Sequence, residues 1–367
     1  IYYSAPVRYG EYYPHIPFIV TRLRCGAEQW DIPEVMYHQA DIVGASMLLW
    51  RESDQLWMFF GGVGLNRVPF RWTTSADNGA TWAPVQLPRV KGVLGTYSPQ
   101  PITTMVRDGK GTLYLSCDGH SRPATWSNSL LWATDDDGRS WYDTGGRAFT
   151  RHAPFVLMKD GKTIMAYGGK NTQYDGFQSA SYSTDGGKHW RREKTPFPMN
   201  WTKQRPSLVR LQSGRLFFAS DWQKSGDGWQ PPGIDQNGVY VALSDDDGKS
   251  WHVKTLEAAL PYEKKAMPSW LLEEHLPWHD HETIGYSLAT QATNGIIHQI
   301  TTSNHPAQHF EMNEAWILDP TAGASDATAA IPPDADVQTS RETHPDGSMK
   351  ALWSVRRDSS GRMLLHG

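Results

Sequence analysis

Titratable and aromatic side chains recur at equivalent points of a strand–turn–strand pattern in the sequence. Four residues each lie nine positions before a turn glycine: Gln100, His152, Arg205 and Tyr286. A second group follows the second strand of these units and comprises Asp118, His120, Arg122, Tyr167, Lys170, Asn171, Asp221 and Trp222. Histidine and tyrosine transfer protons in general acid–base catalysis, and cationic side chains bind carboxylates. The set therefore indicates proton-transfer chemistry on a negatively charged substrate.

A uronic acid is a substrate that fits these residue types. Removal of a proton next to a carboxylate requires a cation on that carboxylate, a base near the carbon and an acid for the leaving oxygen. The candidate cations are Arg151, Lys170 and Arg205, and the candidate proton-transfer groups are His120, His152 and Tyr167. Trp222 and Tyr174 offer aromatic faces on which sugars stack. The expected substrate-binding set also includes Gln100, Arg122, Asn171 and Tyr286.

A repeated turn motif supplies the scaffold for these residues. Four segments share the pattern Ser/Thr-x-Asp-x-Gly-x-x-Trp, and their aspartates are Asp77, Asp136, Asp185 and Asp246. In a hairpin turn of this kind the aspartate accepts backbone N–H groups, the glycine adopts a positive φ and the tryptophan folds under the turn. We interpret the motifs as structural turns rather than calcium sites, because their residues serve the local backbone. They are Asp-boxes, and in them the chain resembles the sialidase-like β-propellers.

The repeat spacing predicts an all-β chain folded as a seven-bladed β-propeller, with six blades as the alternative. The expected blades cover 41–87, 98–146, 147–195, 203–256 and 283–318, with one more on 346–367 and one from the first 40 residues. A single domain over 1–367 is expected, with an inserted loop or helix at 258–282 and a solvated excursion at 319–345. Because rotation relates the blades, the first-strand residues should converge at one mouth of the channel, opposite the Asp-box turns.

The composition excludes several other classes of protein. A net charge of −4 is too balanced for a nucleic-acid groove, and no apolar run approaches the roughly 20 residues of a membrane helix. Cys25 and Cys117 form no CxxC pattern, and either one disulfide or two buried thiols fits them. We expect a secreted or periplasmic monomer that acts on an oligosaccharide or polysaccharide. No cofactor and no metal at the site are expected, and a structural calcium or zinc ion is left open.

Five runs of sequence carry a second, narrower resemblance. They are Leu115-Ser-Cys-Asp-Gly-His-Ser121, Gly168-Gly-Lys-Asn-Thr172, Gln204-Arg-Pro-Ser207 with Ser213-Gly-Arg-Leu216, and His309-Phe-Glu-Met-Asn-Glu-Ala-Trp316. The runs resemble the seven-bladed propeller families that act on rhamnose–glucuronate linkages, which include rhamnose-α-1,4-glucuronate lyases, α-L-rhamnosidases and ulvan lyases. The resemblance covers about residues 95–320. It implies His120 and Tyr167 as proton-transfer groups, with Gln100 where a second histidine would fall. Resemblance to the rhamnosidases implies His38, on the opposite face, as the alternative catalytic residue.

The leading functional hypothesis is therefore cleavage of terminal L-rhamnose from glucuronate by β-elimination, in an acidic plant or algal polysaccharide of the arabinogalactan type. Hydrolysis of the same linkage by an α-L-rhamnosidase is the first alternative. An exo-sialidase is the second, although the early segment Asp31-Ile32-Pro33 lacks the arginine of that family. A carbohydrate-binding propeller without catalysis is the third, because glutamine at position 100 cannot titrate.

Overall fold

The chain folds into short strands joined by turns. The computed structural model describes residues 2–4, 18–23, 31–32, 34–37, 47–52, 54–61, 68–98, 101–119, 128–169, 172–199, 205–222, 238–256, 286–302, 309–320, 338–343, 349–357 and 363–366. Among these residues no helix has the length and apolar character that crossing a bilayer requires. Helix α1, Glu314–Leu318, has five residues and is capped by the Asn313 side chain, which accepts the backbone N–H of Trp316.

The strands form separate sheets in which chain neighbours pair antiparallel. The first sheet contains β1 (Tyr2–Ser4), β2 (Phe18–Val20) and β3 (Glu34–Tyr37), and the second contains β4 (Met47–Glu52), β5 (Gln55–Gly61) and β6 (Phe70–Ser75). The third has the order β7-β11-β10-β9-β8 and contains β7 (Val90–Lys91), β8 (Pro101–Arg107), β9 (Leu113–Gly119), β10 (Asn128–Thr134) and β11 (Trp141–Asp143). Only its β7–β11 pair is parallel among the described pairs.

Four further sheets follow in chain order. They contain β12 (Phe155–Leu157), β13 (Ile164–Tyr167), β14 (Phe177–Ser183) and β15 (Arg191–Pro198); β16 (Ser207–Arg210), β17 (Leu216–Trp222), β18 (Gly238–Ser244) and β19 (His252–Thr255); β20 (Tyr286–Gln291), β21 (Ile297–Thr302) and β22 (His309–Met312); and β23 (Gln338–Thr343), β24 (Met349–Arg357) and β25 (Met363–His366). Such meanders of three to five strands are typical of propeller blades.

The described strands correct the expected number of blades. The sheets from β4 to β22 match the five blades expected between residues 41 and 318. Among the described strands the structure therefore shows five blades, where the sequence predicted seven with six as the alternative. The two end sheets, β1–β3 and β23–β25, are separate three-stranded sheets and are not counted among the five.

One of the two segments expected to lie outside the blades contains a described strand. The excursion expected over 319–345 contains β23, which pairs with β24 from Gln338 to Thr343. The polar composition of this stretch gave no sign of the pairing, which depends on a partner strand later in the chain. The insertion expected at 258–282 lies outside the described residues.

The contacts divide the chain into two compact units. The single domain expected over 1–367 stays a prediction. The first unit comprises Ile1–Cys25 and Trp30–Thr195, and the second comprises Gly26–Gln29 and Pro196–Gly367. The boundary falls inside β15. Its Phe197 belongs to the second unit, where its ring lies 4.7 Å from that of Phe218 and is stacked on Tyr240.

An aromatic core supports the first unit. Trp57 and Trp72 stack with their centroids 5.0 Å apart. The Trp141 ring is fully buried and meets Phe59 and Phe70 edge-on, at 5.9 and 5.1 Å. Edge-to-face pairs of this kind add to the free energy of burying the rings. The core therefore holds β9 and β10 rigidly against the neighbouring sheet.

The Ser/Thr-x-Asp-x-Gly-x-x-Trp turns have hydrogen bonds of the kind expected from their sequence. In the copy at Asp136, the carboxylate accepts the Ser140 backbone N–H at 2.8 Å and the Ser140 hydroxyl at 2.5 Å. These bonds hold the pKa of Asp136 at about 2, the Ser140 hydroxyl contributing most. Gly138 has φ +84°, and its carbonyl accepts Trp141 Nε1–H at 3.1 Å.

In the other three copies the aspartate carboxylate likewise accepts the backbone N–H of the residue four positions on. The pKa of each carboxyl lies at about 2, and the three are Asp77, Asp185 and Asp246. Local donors thus occupy the carboxylate oxygens, which supports the structural interpretation of the turns over calcium binding.

Of the two cysteines, Cys117 is buried, and its sulfhydryl donates to the Ser98 carbonyl at 3.1 Å. Cys25 lies outside the described residues.

Candidate functional site

The alternation of β9 directs Asp118 toward the next blade. Leu115 and Cys117 point into the aromatic core. Tyr114, which shares the other face of the strand with Asp118, packs in the cluster of Phe155 and the following sheet. Asp118 is the last residue of that face before the strand ends at Gly119, and its carboxylate is 2% exposed. It therefore meets the segment that precedes β12.

His152 binds Asp118 through both its backbone and its side chain. The backbone N–H donates to Asp118 Oδ1 at 3.1 Å, and Nε2 lies 2.5 Å from Asp118 Oδ2. The backbone of His152 has φ +53°, a left-handed conformation that few residues other than glycine adopt. Such a conformation costs on the order of 1–3 kcal/mol and persists where surrounding contacts impose it. The single carboxylate supplies those contacts and fixes the imidazole.

Arg151 places a positive charge at the surface, next to this buried pair. Its Nε lies 3.6 Å from Asp118 Oδ2, and 32% of its side chain is exposed, while His152 is buried. A guanidinium so placed has donors left for a second anion, because it carries five N–H groups. The group of Asp118, Arg151 and His152 is called the Asp118 cluster below.

Gly169 lets the segment after β13 lie directly against Arg151. A Cβ atom at this position would stand 2.4 Å from the Arg151 carbonyl oxygen and 3.0 Å from its nitrogen, and the glycine has φ +127°. No other residue type fits there without moving the backbone. The Gly168-Gly169 pair thus packs the end of this segment against Arg151 of the Asp118 cluster.

Tyr167 is buried at the end of β13. Its side chain is 1% exposed, and its backbone N–H donates to the Pro154 carbonyl at 3.1 Å. The residue lies where the sequence predicted, at the end of a second strand. The phenol nevertheless belongs to the interior, which sequence periodicity could not distinguish from a channel-facing position. Its role in proton transfer stays a prediction.

In the second unit, the expected residues gather at one edge of two neighbouring sheets. Arg205 precedes β16, and its carbonyl accepts the backbone N–H of Ser287 at the start of β20. Arg205 is 6% exposed, and Trp222, at the end of β17, is 5% exposed. Asp221 beside it is 2% exposed. Tyr286 begins β20, so the strand ends meet as the repeat predicted, although the Tyr286 side chain is not described.

Several predicted residues lie outside the described part of the chain. They are His38, Gln100, His120, Arg122, Lys170 and Asn171. Their roles remain predictions. The chain reaches His120 one residue beyond Gly119, the last residue of β9.

Sequence reasoning missed a cluster of metal-ligating atoms in the second unit. Among the described residues, His298, His309 and Glu311 each offer one ligand atom, and these atoms lie within 4.8 Å of one another. The sequence signal was a His-x-Glu alternation on a strand. Its meaning depends on the partner strand, whose register is not visible in the sequence.

A comparison with known families identifies the chain. Residues 17–299 match the sequence profile of the BNR repeat-like domain. The chain belongs to the BNR repeat-like family. No curated protein shows detectable similarity to it in sequence.

Solved structures share the fold of this BNR repeat-like protein. Hadza microbial sialidase Hz136 is similar with a TM-score of 0.55 and 15% identity over 82% of this chain and 60% of that one, so this chain spans about three-fifths of the sialidase. An α-L-arabinanase of Penicillium chrysogenum gives 0.48 and 13% identity, over 88% and 92% of the two chains. A PL25 ulvan lyase gives 0.44 and 11%, over 87% and 81%. At such identities the likeness concerns the fold alone, which is an all-β β-propeller.

Proposed function

We propose that this BNR repeat-like protein is a carbohydrate-active enzyme, secreted or periplasmic, that removes terminal L-rhamnose from glucuronate by β-elimination. The observation that carries the proposal is the Asp118 cluster, in which a buried Asp–His pair presents the partly exposed Arg151. A fixed cation of this kind suits a substrate carboxylate, because charge-assisted hydrogen bonds to it are strong.

The reaction requires two proton transfers and no net change of charge. A base removes the proton next to the uronate carboxylate, the electron pair forms a carbon–carbon double bond, and the bond to the rhamnose oxygen breaks. That oxygen takes up a proton. We assign the carboxylate to Arg151 and the proton transfer to His120, which follows Asp118 by two residues. His152 acts as a positioning residue, because it is buried and holds Asp118 in place.

The described carboxylates favour elimination over hydrolysis by two carboxyl groups. Such hydrolysis needs a pair of acids flanking the scissile bond. Asp118 is 2% exposed and bound by His152 and Arg151, and Asp221 is equally buried. Neither carboxyl group is therefore placed to contact a sugar in the described part of the chain.

The position of Arg210 disfavours a sialidase. Enzymes of that class bind the substrate carboxylate through three arginines, and a triad here would have to combine Arg210 with Arg151 and Arg205. Its guanidinium instead bonds Asp247 Oδ1 at 2.7 Å and the Gly214 carbonyl at 2.8 Å. These partners lie at the turn end of β16, away from Arg205 at its start.

The proposal is tested with an arabinogalactan oligosaccharide that ends in rhamnose linked to glucuronate. Elimination leaves an unsaturated uronate, which absorbs in the ultraviolet, and free rhamnose. We expect Arg151→Ala to lower kcat/KM by about 10²-fold or more, because it removes a charge present in ground state and transition state alike. Arg139→Ala, at an exposed residue of the Asp136 turn, is the matched control and should leave turnover unchanged.

Three results would redirect the proposal. Rhamnose release without the chromophore would assign the α-L-rhamnosidase reaction. Binding without any product would assign a carbohydrate-binding propeller. Full activity of Arg151→Ala would remove the Asp118 cluster from the site.

A further inference from the structure

Two strands of the second unit bring two histidines and a glutamate onto one face. His298 lies in β21, and His309 and Glu311 lie in β22. In the antiparallel register His298 stands directly opposite Glu311. His309 is two residues from Glu311, so it shares that face and is the diagonal neighbour of His298.

The distances among their polar atoms are those of ligands on one metal ion. His298 Nδ1 lies 3.1 Å from His309 Nε2 and 3.5 Å from Glu311 Oε1. Nitrogen and oxygen ligands about 2.0–2.2 Å from a tetrahedral zinc ion are roughly 3.3–3.5 Å apart. The three ligand atoms therefore need little rearrangement to share an ion.

The three side chains of the cluster also carry more lone pairs than N–H protons. A neutral imidazole has one N–H, so His298 Nδ1 can donate either to His309 Nε2 or to Glu311, but not to both. The neutral imidazole is the form that binds metals, because the ligating nitrogen must present its lone pair to the ion.

We propose that His298, His309 and Glu311 form a binding site for a Zn²⁺ ion. Two imidazoles favour zinc over calcium or magnesium, which prefer oxygen ligands. Three protein ligands leave the fourth position of a tetrahedral ion for water. His298 and Glu311 are each 24% exposed, so the ion can enter from solvent. The bound ion would clamp β21 to β22, and this role is independent of the proposed elimination reaction.

Metal content and thermal stability of the full chain test the site. The protein is stripped with EDTA, equilibrated with ZnCl₂, passed over a desalting column and analysed by mass spectrometry for zinc. We expect about one zinc per chain in the wild type and its loss in His298→Gln and in Glu311→Gln. The control His252→Gln, at an exposed histidine of β19 in the same unit, should keep the metal. Zinc at 100 times its Kd should raise the Tm of the wild type by roughly 5 °C, and CaCl₂ should not.

The choice of variants decides whether zinc binds at this cluster. A fold defect in His309→Gln would say little about metal binding, so the decision rests on His298 and Glu311, which are each 24% exposed. Zinc retention equal to that of the wild type in both variants would overturn the proposal. So would a wild type that retains no zinc, because the cluster would then be a His–His hydrogen bond only. Stabilisation by calcium that these variants abolish would overturn the choice of metal.

Discussion

Replacement of Trp141 by alanine tests the account of the scaffold. The Trp141 side chain is fully buried, contacts Phe59 and Phe70 edge-on, and donates Nε1–H to the Gly138 carbonyl. A buried tryptophan removes about 150–250 Å² from water, which at about 25 cal/mol per Å² is roughly 4–6 kcal/mol. Residual burial in the unfolded chain reduces this by about 10–40%. We expect Trp141→Ala to lower the free energy of unfolding by about 3–5 kcal/mol, in agreement with large-to-small core substitutions.

Urea unfolding followed by far-ultraviolet circular dichroism measures this loss without depending on tryptophan fluorescence. Trp141→Phe keeps an aromatic ring but loses the hydrogen bond, and it should cost clearly less. Trp190→Ala should also cost less than Trp141→Ala, because Trp190 is only partly buried. Folded Trp141→Ala protein should retain turnover. Wild-type stability of Trp141→Ala, or folded protein without turnover, would refute the separation of structural turns from the site.

Three further predictions follow from single residues. Asp136→Asn should weaken the dependence of stability on pH in acid. The folded pKa of Asp136 is about 2 against 3.8 ordinarily, so its stabilising effect is complete above pH 4 and fades toward pH 2. The Tm values of variant and wild type should therefore converge over that range, whereas a constant difference would contradict the assignment. Gly169→Ala should lower both Tm and kcat because its Cβ would collide with the Arg151 backbone, whereas Gly176→Ala, at a similarly positive φ but with no neighbour within 4 Å, should cost only about 1–2 kcal/mol and spare activity. His120→Ala should lower turnover by about 10²–10⁴-fold with an unchanged Tm, and His38→Ala should not; the reverse result would favour the rhamnosidase site on the opposite face.

The local turns were predictable because their chemistry is contained in eight residues. Ser140, Gly138 and Trp141 each contact Asp136 or one another within five positions of the chain, so the sequence alone specified the bonds. The meander of strands was predictable for the same reason. Three of the four motifs mark a turn between strands that are neighbours in the sheet, namely β10–β11, β14–β15 and β18–β19.

Contacts between distant segments were not predictable. The pairing of Asp118 with His152 joins residues 34 positions apart, and the positive φ of His152 follows from that contact rather than from its own preference. Burial of Tyr167 likewise depends on the sheets on either side of β13. The proposed zinc ligands were harder still to predict from the sequence, because His298 lies opposite Glu311 only through the register of β21 and β22.

The measurement that tests the central claim most directly is the mass of the uronate product formed in ¹⁸O-labelled water. A rhamnose–glucuronate oligosaccharide is incubated with the wild-type chain, and the products are analysed by mass spectrometry. Elimination predicts free rhamnose and a uronate lighter by one water molecule, with no ¹⁸O in either product beyond slow exchange. A saturated uronate accompanied by label in the released rhamnose would show hydrolysis and would contradict the account.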